Sequence, residues 1–155
     1  MASFFAWLEG TPVALMVRDS LLLTGALSAV HLVGFTLTTG GALVANLNLL
    51  GVLFRERAPF DVTRPATRGI AIGLVISALT GALLFAPRAS VASVNWIFQA
   101  KMALLVTAVA FHFTVHQHVA RRDVGAGSLR AVTAVAGLLL WTGLALAGCA
   151  FILLE

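Results

Sequence analysis

Residues 21–54 read LLLTGALSAVHLVGFTLTTGGALVANLNLLGVLF. This run holds no Asp, Glu, Lys or Arg, and its one titratable group is His31. A stretch of 18 or more apolar residues is long enough to cross a hydrocarbon core of about 30 Å as a helix. Three more such stretches follow, from about Gly69 to Ala86, from about Trp96 to Val119 and from about Leu129 to Leu154. They must be helical, because lipid offers no partner for unpaired backbone groups. Short loops make an all-α, up-down four-helix membrane bundle the expected fold. Residues 1–155 read as a single membrane domain, with no internal repeat and no low-complexity segment.

Composition agrees. Of 155 residues, 60% are hydrophobic and 10% charged, against about 25% charged in soluble domains. That excludes an ordinary soluble domain, a disordered chain, a coiled coil and a nucleic-acid-binding domain. The net charge is only +4, and the single cysteine, Cys149, excludes a disulfide framework or a zinc site built on cysteine pairs. Tyrosine is absent.

The span ends have local causes. Ser20 is placed to cap the first span, Ser93 or Asn95 the third and Ser128 the fourth, after a break at Gly125 and Gly127. Pro65 lies at the start of the second span and Pro87 closes it. The first run exceeds what a span needs, so it is expected to tilt or to project past the bilayer near Asn46 and Asn48. The N-terminus lacks the basic start of a signal peptide. Residues 3–18 mix Phe4, Phe5, Trp7, Leu8, Leu15 and Met16 with Glu9 and Arg18, and Thr11-Pro12 reads as a cap followed by proline at the first helical position. A short interfacial helix is expected there, with Trp7 and Trp96 in an outer aromatic belt.

Seven arginines (Arg55, Arg57, Arg64, Arg68, Arg121, Arg122 and Arg130) fall on one side of the four spans, and two (Arg18 and Arg88) on the other. The positive-inside rule then places both termini on the outer, periplasmic side of a bacterial inner membrane.

Ionisable residues inside spans are functional candidates by default. They are His31 in the first span and Lys101, His112, His116 and His118 in the third; no Asp or Glu lies within a span. That argues against a proton pump or cation channel built on carboxylates, and against a hydrolase triad. At about 100° per residue, Lys101, His112 and His116 share one face and His118 lies apart. His116 and His118, just before Arg121, read as interfacial. Thr24, Thr38 and Ala42 share the face of His31, with Gly34 and Gly41 near it. Spans one and three are diagonal neighbours in an up-down bundle, and a flat macrocycle fits between them. His31 is therefore expected as an axial ligand of a b-type haem, with Gly34 giving clearance, His112 as a possible second ligand and Lys101 on a propionate or the open face. Depth opposes the bis-histidine form: His31 lies about 15 Å below Leu21 and His112 about 24 Å below Trp96, at roughly 1.5 Å per residue. By the same rise Lys101 lies about 7.5 Å below Trp96. Lys101 can equally be a snorkelling side chain. The second nitrogen of His31 needs a partner on a neighbouring helix. Met102 is a possible soft copper ligand, and Cys149 is expected to be a packing residue. Gly69, Gly73, Gly81, Gly137, Gly143 and Gly148 read mainly as helix contacts.

The order Trp7-Leu8-Glu9, Val17-Arg18-Asp19-Ser20, His31-Leu32-Val33-Gly34, Asn46-Leu47-Asn48-Leu49-Leu50-Gly51, Thr80-Gly81 with Phe85, Phe98 with Lys101, and Trp141 resembles an uncharacterised family of four-span bacterial membrane proteins. Two departures stand out: Asn46 and Asn48 replace charged residues of that pattern, and Gly148-Cys149 stands where a Gly-Arg pair is usual. A histidine in span one, Thr-Gly in span two and a lysine in span three are also similar to the copper-resistance D-type membrane domain and to the small haem-containing protoporphyrinogen oxidase. That resemblance implies His31 as the haem ligand and Lys101 as the family lysine. Three readings follow: a b-type haem protein of electron transfer or membrane redox chemistry, with a quinone or a redox protein as partner; a copper-handling membrane protein using His31, His112 and Met102; and an accessory subunit without cofactor. A homo-oligomer or a larger membrane complex is compatible with each.

Overall fold

In a computed structural model, residues 2–122 and 127–153 are described. The expected break at Gly125 and the end of span four at Leu154 lie outside the described residues. The chain is helical almost throughout: α1 (Ala2–Glu9), α2 (Pro12–Asp19), α3 (Leu21–Leu49), α4 (Pro59–Phe85), α5 (Ala89–Val94), α6 (Trp96–Phe111), a π turn (His112–His116), α7 (Gln117–Arg121) and α8 (Ser128–Leu153). Four of these segments are long and apolar enough to cross a membrane: Leu21–Leu49, Pro59–Val94, Trp96–Arg121 and Ser128–Phe151. Their outward faces carry large apolar side chains such as Leu32, Leu79, Val106 and Leu139. This is a multi-pass membrane protein.

The four spans form a ring. α3 packs on α4 and on α8, α6 packs on α8, and α7 reaches back to α4 and α8. α3 and α6 therefore stand on a diagonal. Small residues bring α3 and α4 close: a Cβ on Gly34 would stand 2.7 Å from Ser77 Oγ, and one on Gly73 would stand 2.7 Å from the Thr38 backbone nitrogen.

Caps hold where hydroxyl and amide side chains allow. Ser20 Oγ accepts from Leu23 N–H at 3.2 Å, and Asn95 Oδ1, in preference to Ser93, accepts from Ile97 N–H at 2.9 Å. Some boundaries differ from expectation. The first span stops at Leu49, not Phe54, because Gly51 takes a positive φ of 71° and Asn48 Nδ2 donates to the Leu53 and Phe54 carbonyls. Asn46 and Asn48 are buried within the bundle. The second span starts ten residues earlier, at Pro59, with Pro65 near the helix start.

The N-terminal segment forms two helices instead of one. Pro12 opens the second, and Thr11 Oγ1 accepts from Ala14 N–H at 3.4 Å. Both pack on the bundle: Ala14 and Val17 are buried, and Glu9 Oε1 accepts from Ser90 N–H at 2.7 Å. A row of rings, Phe5–Phe85–Phe98–Phe151, with centroids 6.1, 5.2 and 5.6 Å apart, closes this capped end. Trp7 and Trp96 are exposed there. The opposite, arginine end carries the loops with Arg55, Arg57 and Arg122. Midway between the ends, Ala42, Ile70, Ala108, Trp141 and Leu144 make an apolar layer.

Candidate functional site

Polar side chains gather at two levels, one on each side of that layer. On the capped side, His31 Nδ1 lies 3.0 Å from Thr80 Oγ1. Thr80 has one hydroxyl proton and donates it to the Ile76 carbonyl at 2.7 Å. The bond between His31 and Thr80 is therefore donated by Nδ1–H, and Nε2 is the unprotonated nitrogen. The expected partner on a neighbouring helix is thus Thr80 of α4. Gly81 supports the ring: a Cβ there would come within 3.1 Å of His31 Cε1. The histidine is half-buried.

Lys101 lies within electrostatic reach of His31. Its Nζ stands 5.9 Å from the Phe151 ring centroid, and its Cε would be 3.9 Å from a Cβ on Gly148. The offset expected from counting residues does not separate the two groups, because Leu21 and Trp96 do not start at equal depth. Gly34 is taken up by the α3–α4 crossing against Ser77, Ile76 and Gly73; its smallness serves helix contact.

On the arginine side, His112 Nε2 lies 3.0 Å from Thr67 Oγ1. Thr67 and Thr80 are thirteen residues apart on α4, so His112 and His31 stand about 20 Å apart along the bundle at 1.5 Å per residue. They are not two ligands of one metal. Met102 is 38% exposed beside Lys101, so the set His31, His112 and Met102 is not brought together. Among the described residues, no three His, Cys, Asp or Glu side chains gather in a metal-binding group. Cys149 is exposed, not packed.

His116 is fully buried within the bundle, and its ring stacks on His112 with centroids 5.0 Å apart and planes 23° from parallel. Both sit in the π turn, a helix irregularity frequent at functional sites. Trp141 stands edge-on to His112 at 6.4 Å. Asn46 donates from Nδ2 to the Ala42 carbonyl and lies against Gly137, where a Cβ would strike its Oδ1. His112 Nδ1, both nitrogens of His116, Asn46 Oδ1 and Thr63 Oγ1 are buried without a hydrogen-bond partner. Thr63 lies one turn before Thr67 on the same face of α4, as His116 lies one turn beyond His112. Sequence reasoning marked Gly137 as a helix contact but missed Thr63 and the pairing of Asn46 with Gly137, which only helix adjacency reveals. His118 is exposed, as its separate face implied.

A dication at the His112–His116 level would be expensive, because among the described residues the one carboxylate on a span, Asp61 in the first turn of α4, is exposed, and the nearer loops are rich in arginine. The residues that could hold a cofactor at the His31 level are His31, oriented by Thr80, and Lys101, with Gly81 on α4 and Gly148 on α8 beside them.

No curated protein and no solved structure matches the chain. The family model DUF6644 matches residues 4–153. Matched over nearly its whole length, the chain belongs to DUF6644, a family of unknown function.

Proposed function

We propose that this protein is a b-type haem-binding membrane protein of electron transfer or membrane redox chemistry, with His31 as its single protein ligand. One observation carries the reading: Thr80 gives its own proton to Ile76, so it can only accept from His31 Nδ1–H. Ligating histidines are commonly oriented by such a bond on the second ring nitrogen. A bound haem would supply one-electron transfer. Lys101 would hold a propionate, and Gly81 and Gly148 would keep side chains clear of the ring edge. The pattern His31, Thr80-Gly81 and Lys101, which resembles the copper-resistance D-type domain and the small protoporphyrinogen oxidase, meets at this one level.

The protein would sit in the inner membrane with the arginine end in the cytoplasm and both termini outside. A quinone or a redox protein would be its partner. Cysteines placed at Val91 and Val52, both exposed, in a Cys149→Ser background test the orientation. External maleimide should label Val91→Cys in intact cells and miss Val52→Cys; the reverse pattern would invert it.

The main test is an absorption spectrum of protein purified from haem-replete cells. Wild type should show a Soret band, and His31→Ala should lose it while retaining its helical circular dichroism. A wild-type Soret band that survives His31→Ala sinks the ligand assignment; a colourless wild type sinks the haem reading.

A further inference from the structure

The α3–α8 seam carries two depressions. At the arginine end a cleft of about 240 Å³ opens between the end of α3 and the start of α8, with Arg55, Arg57 and Arg130 in its wall. Arg130 is already engaged, donating to the Arg122 carbonyl at 3.1 Å; Arg55 and Arg57 are on the exposed loop. No carboxylate occurs among the described residues lining it. The start of α8 adds the positive end of a long helix. Asn48, 4% exposed, lines the same cleft; its Nδ2 is committed to two carbonyls and its Oδ1 has no partner. The cleft thus offers guanidinium groups for an anion.

The second depression is an apolar groove of about 250 Å³, lined by Thr36, Gly40 and Leu43 on α3 and by Leu138, Trp141 and Ala145 on α8. Groove and cleft lie on one side of the seam. On α3, Thr36 and Leu43 in the groove and Leu50 in the cleft follow in steps of seven residues; on α8, Ala145, Leu138 and Ala131 do the same. Seven residues return to one face within about 20° and advance about 10 Å.

We propose that the seam holds an anionic phospholipid. Its phosphate sits between Arg55 and Arg57, and one acyl chain runs along the groove past Trp141. Basic pockets at the ends of membrane helices are suited to such headgroups. The inference rests on the membrane-spanning fold alone and stands apart from the haem reading.

Trp141 reports directly on the groove. In a Trp7→Phe, Trp96→Phe background it is the only tryptophan left, and both replaced residues are exposed. Its emission is compared in micelles holding phosphatidylglycerol or phosphatidylcholine, each with brominated and with unbrominated acyl chains. The ratio of brominated to unbrominated emission cancels quenching by any bound chromophore. Brominated phosphatidylglycerol should quench at a several-fold lower mole fraction than brominated phosphatidylcholine. Arg55→Gln with Arg57→Gln should remove that preference. Gly40→Leu, whose Cβ meets nothing within 4 Å, should fill the groove and weaken quenching by both lipids. Equal quenching of the parent by the two lipids would reduce the seam to ordinary annular lipid and overturn the proposal. Full reversal of quenching by free glycerol phosphate would assign the cleft to a soluble phosphate ester and overturn it as well.

Discussion

His31 and His112 are tied to α4 by the same kind of bond, a ring nitrogen 3.0 Å from a threonine hydroxyl, and reach opposite situations. Thr80 spends its proton on the Ile76 carbonyl, which fixes the direction of the bond and the tautomer of His31. Thr67 makes no such bond to its own helix among the described residues, so donor and acceptor can exchange between it and His112. His31 is half-buried with a cation near; His112 is sealed in, with a second imidazole stacked on it. What distinguishes the two histidines is the other bond that each threonine makes.

The comparison breaks most visibly at the crossing between the two levels. Gly73→Ala would drive a methyl group into the backbone of α3 at Gly34 and Thr38. It should cost about 3 kcal/mol in unfolding free energy and disturb both levels, whereas Gly25→Ala, with open space at its Cβ, should cost nothing in the same denaturation assay. Thr67→Val should come next, at about 2 kcal/mol, because it strands the fully buried His112 Nε2; any Soret band should be unchanged. Thr80→Val should reverse that pattern. Its stability loss should stay below about 1 kcal/mol because His31 is only half-buried, while haem affinity, measured by titration of the apoprotein, should fall about 10–100-fold. The smallest effect is expected for His116→Leu. Its ring has only a weak interaction with the Ala45 backbone to lose, short of a full hydrogen bond, so stability should change by less than about 1 kcal/mol. A loss as large as that of Thr67→Val would mean that His116 is hydrogen-bonded in the membrane.

Much of the architecture is legible in the residues alone, since a run such as 21–49 has no alternative to a membrane helix and Ser20 and Thr11 cap by local chemistry. The shared face of His112 and His116 follows from helical spacing in the same way. Depth does not. Counting from Leu21 and Trp96 assumes that helices begin level with each other, and that assumption put Lys101 out of reach of His31. The nearby Arg121 gave no sign that His116 is fully buried in the bundle. The pairing of Asn46 with Gly137 depends on which helices are neighbours, which periodicity does not contain. Thr80-Gly81 was visible as a pair, but its task of orienting and supporting one imidazole required α3 and α4 to be side by side.

The apolar layer of Ala42, Ile70, Ala108, Trp141 and Leu144 has an electrical meaning. With no polar side chain among its buried members, it acts as the dielectric of a small capacitor, and an energised membrane would drop much of its voltage there. Moving one elementary charge across the full membrane potential is worth about 2.3 kcal/mol per 100 mV. An electron delivered to the His31 level from the arginine end would therefore do work against or with that field, whereas one arriving from the capped end would not. If the proposed haem is bound at His31, the side from which reducing equivalents enter would set whether this small bundle is electrically silent or coupled to the membrane potential.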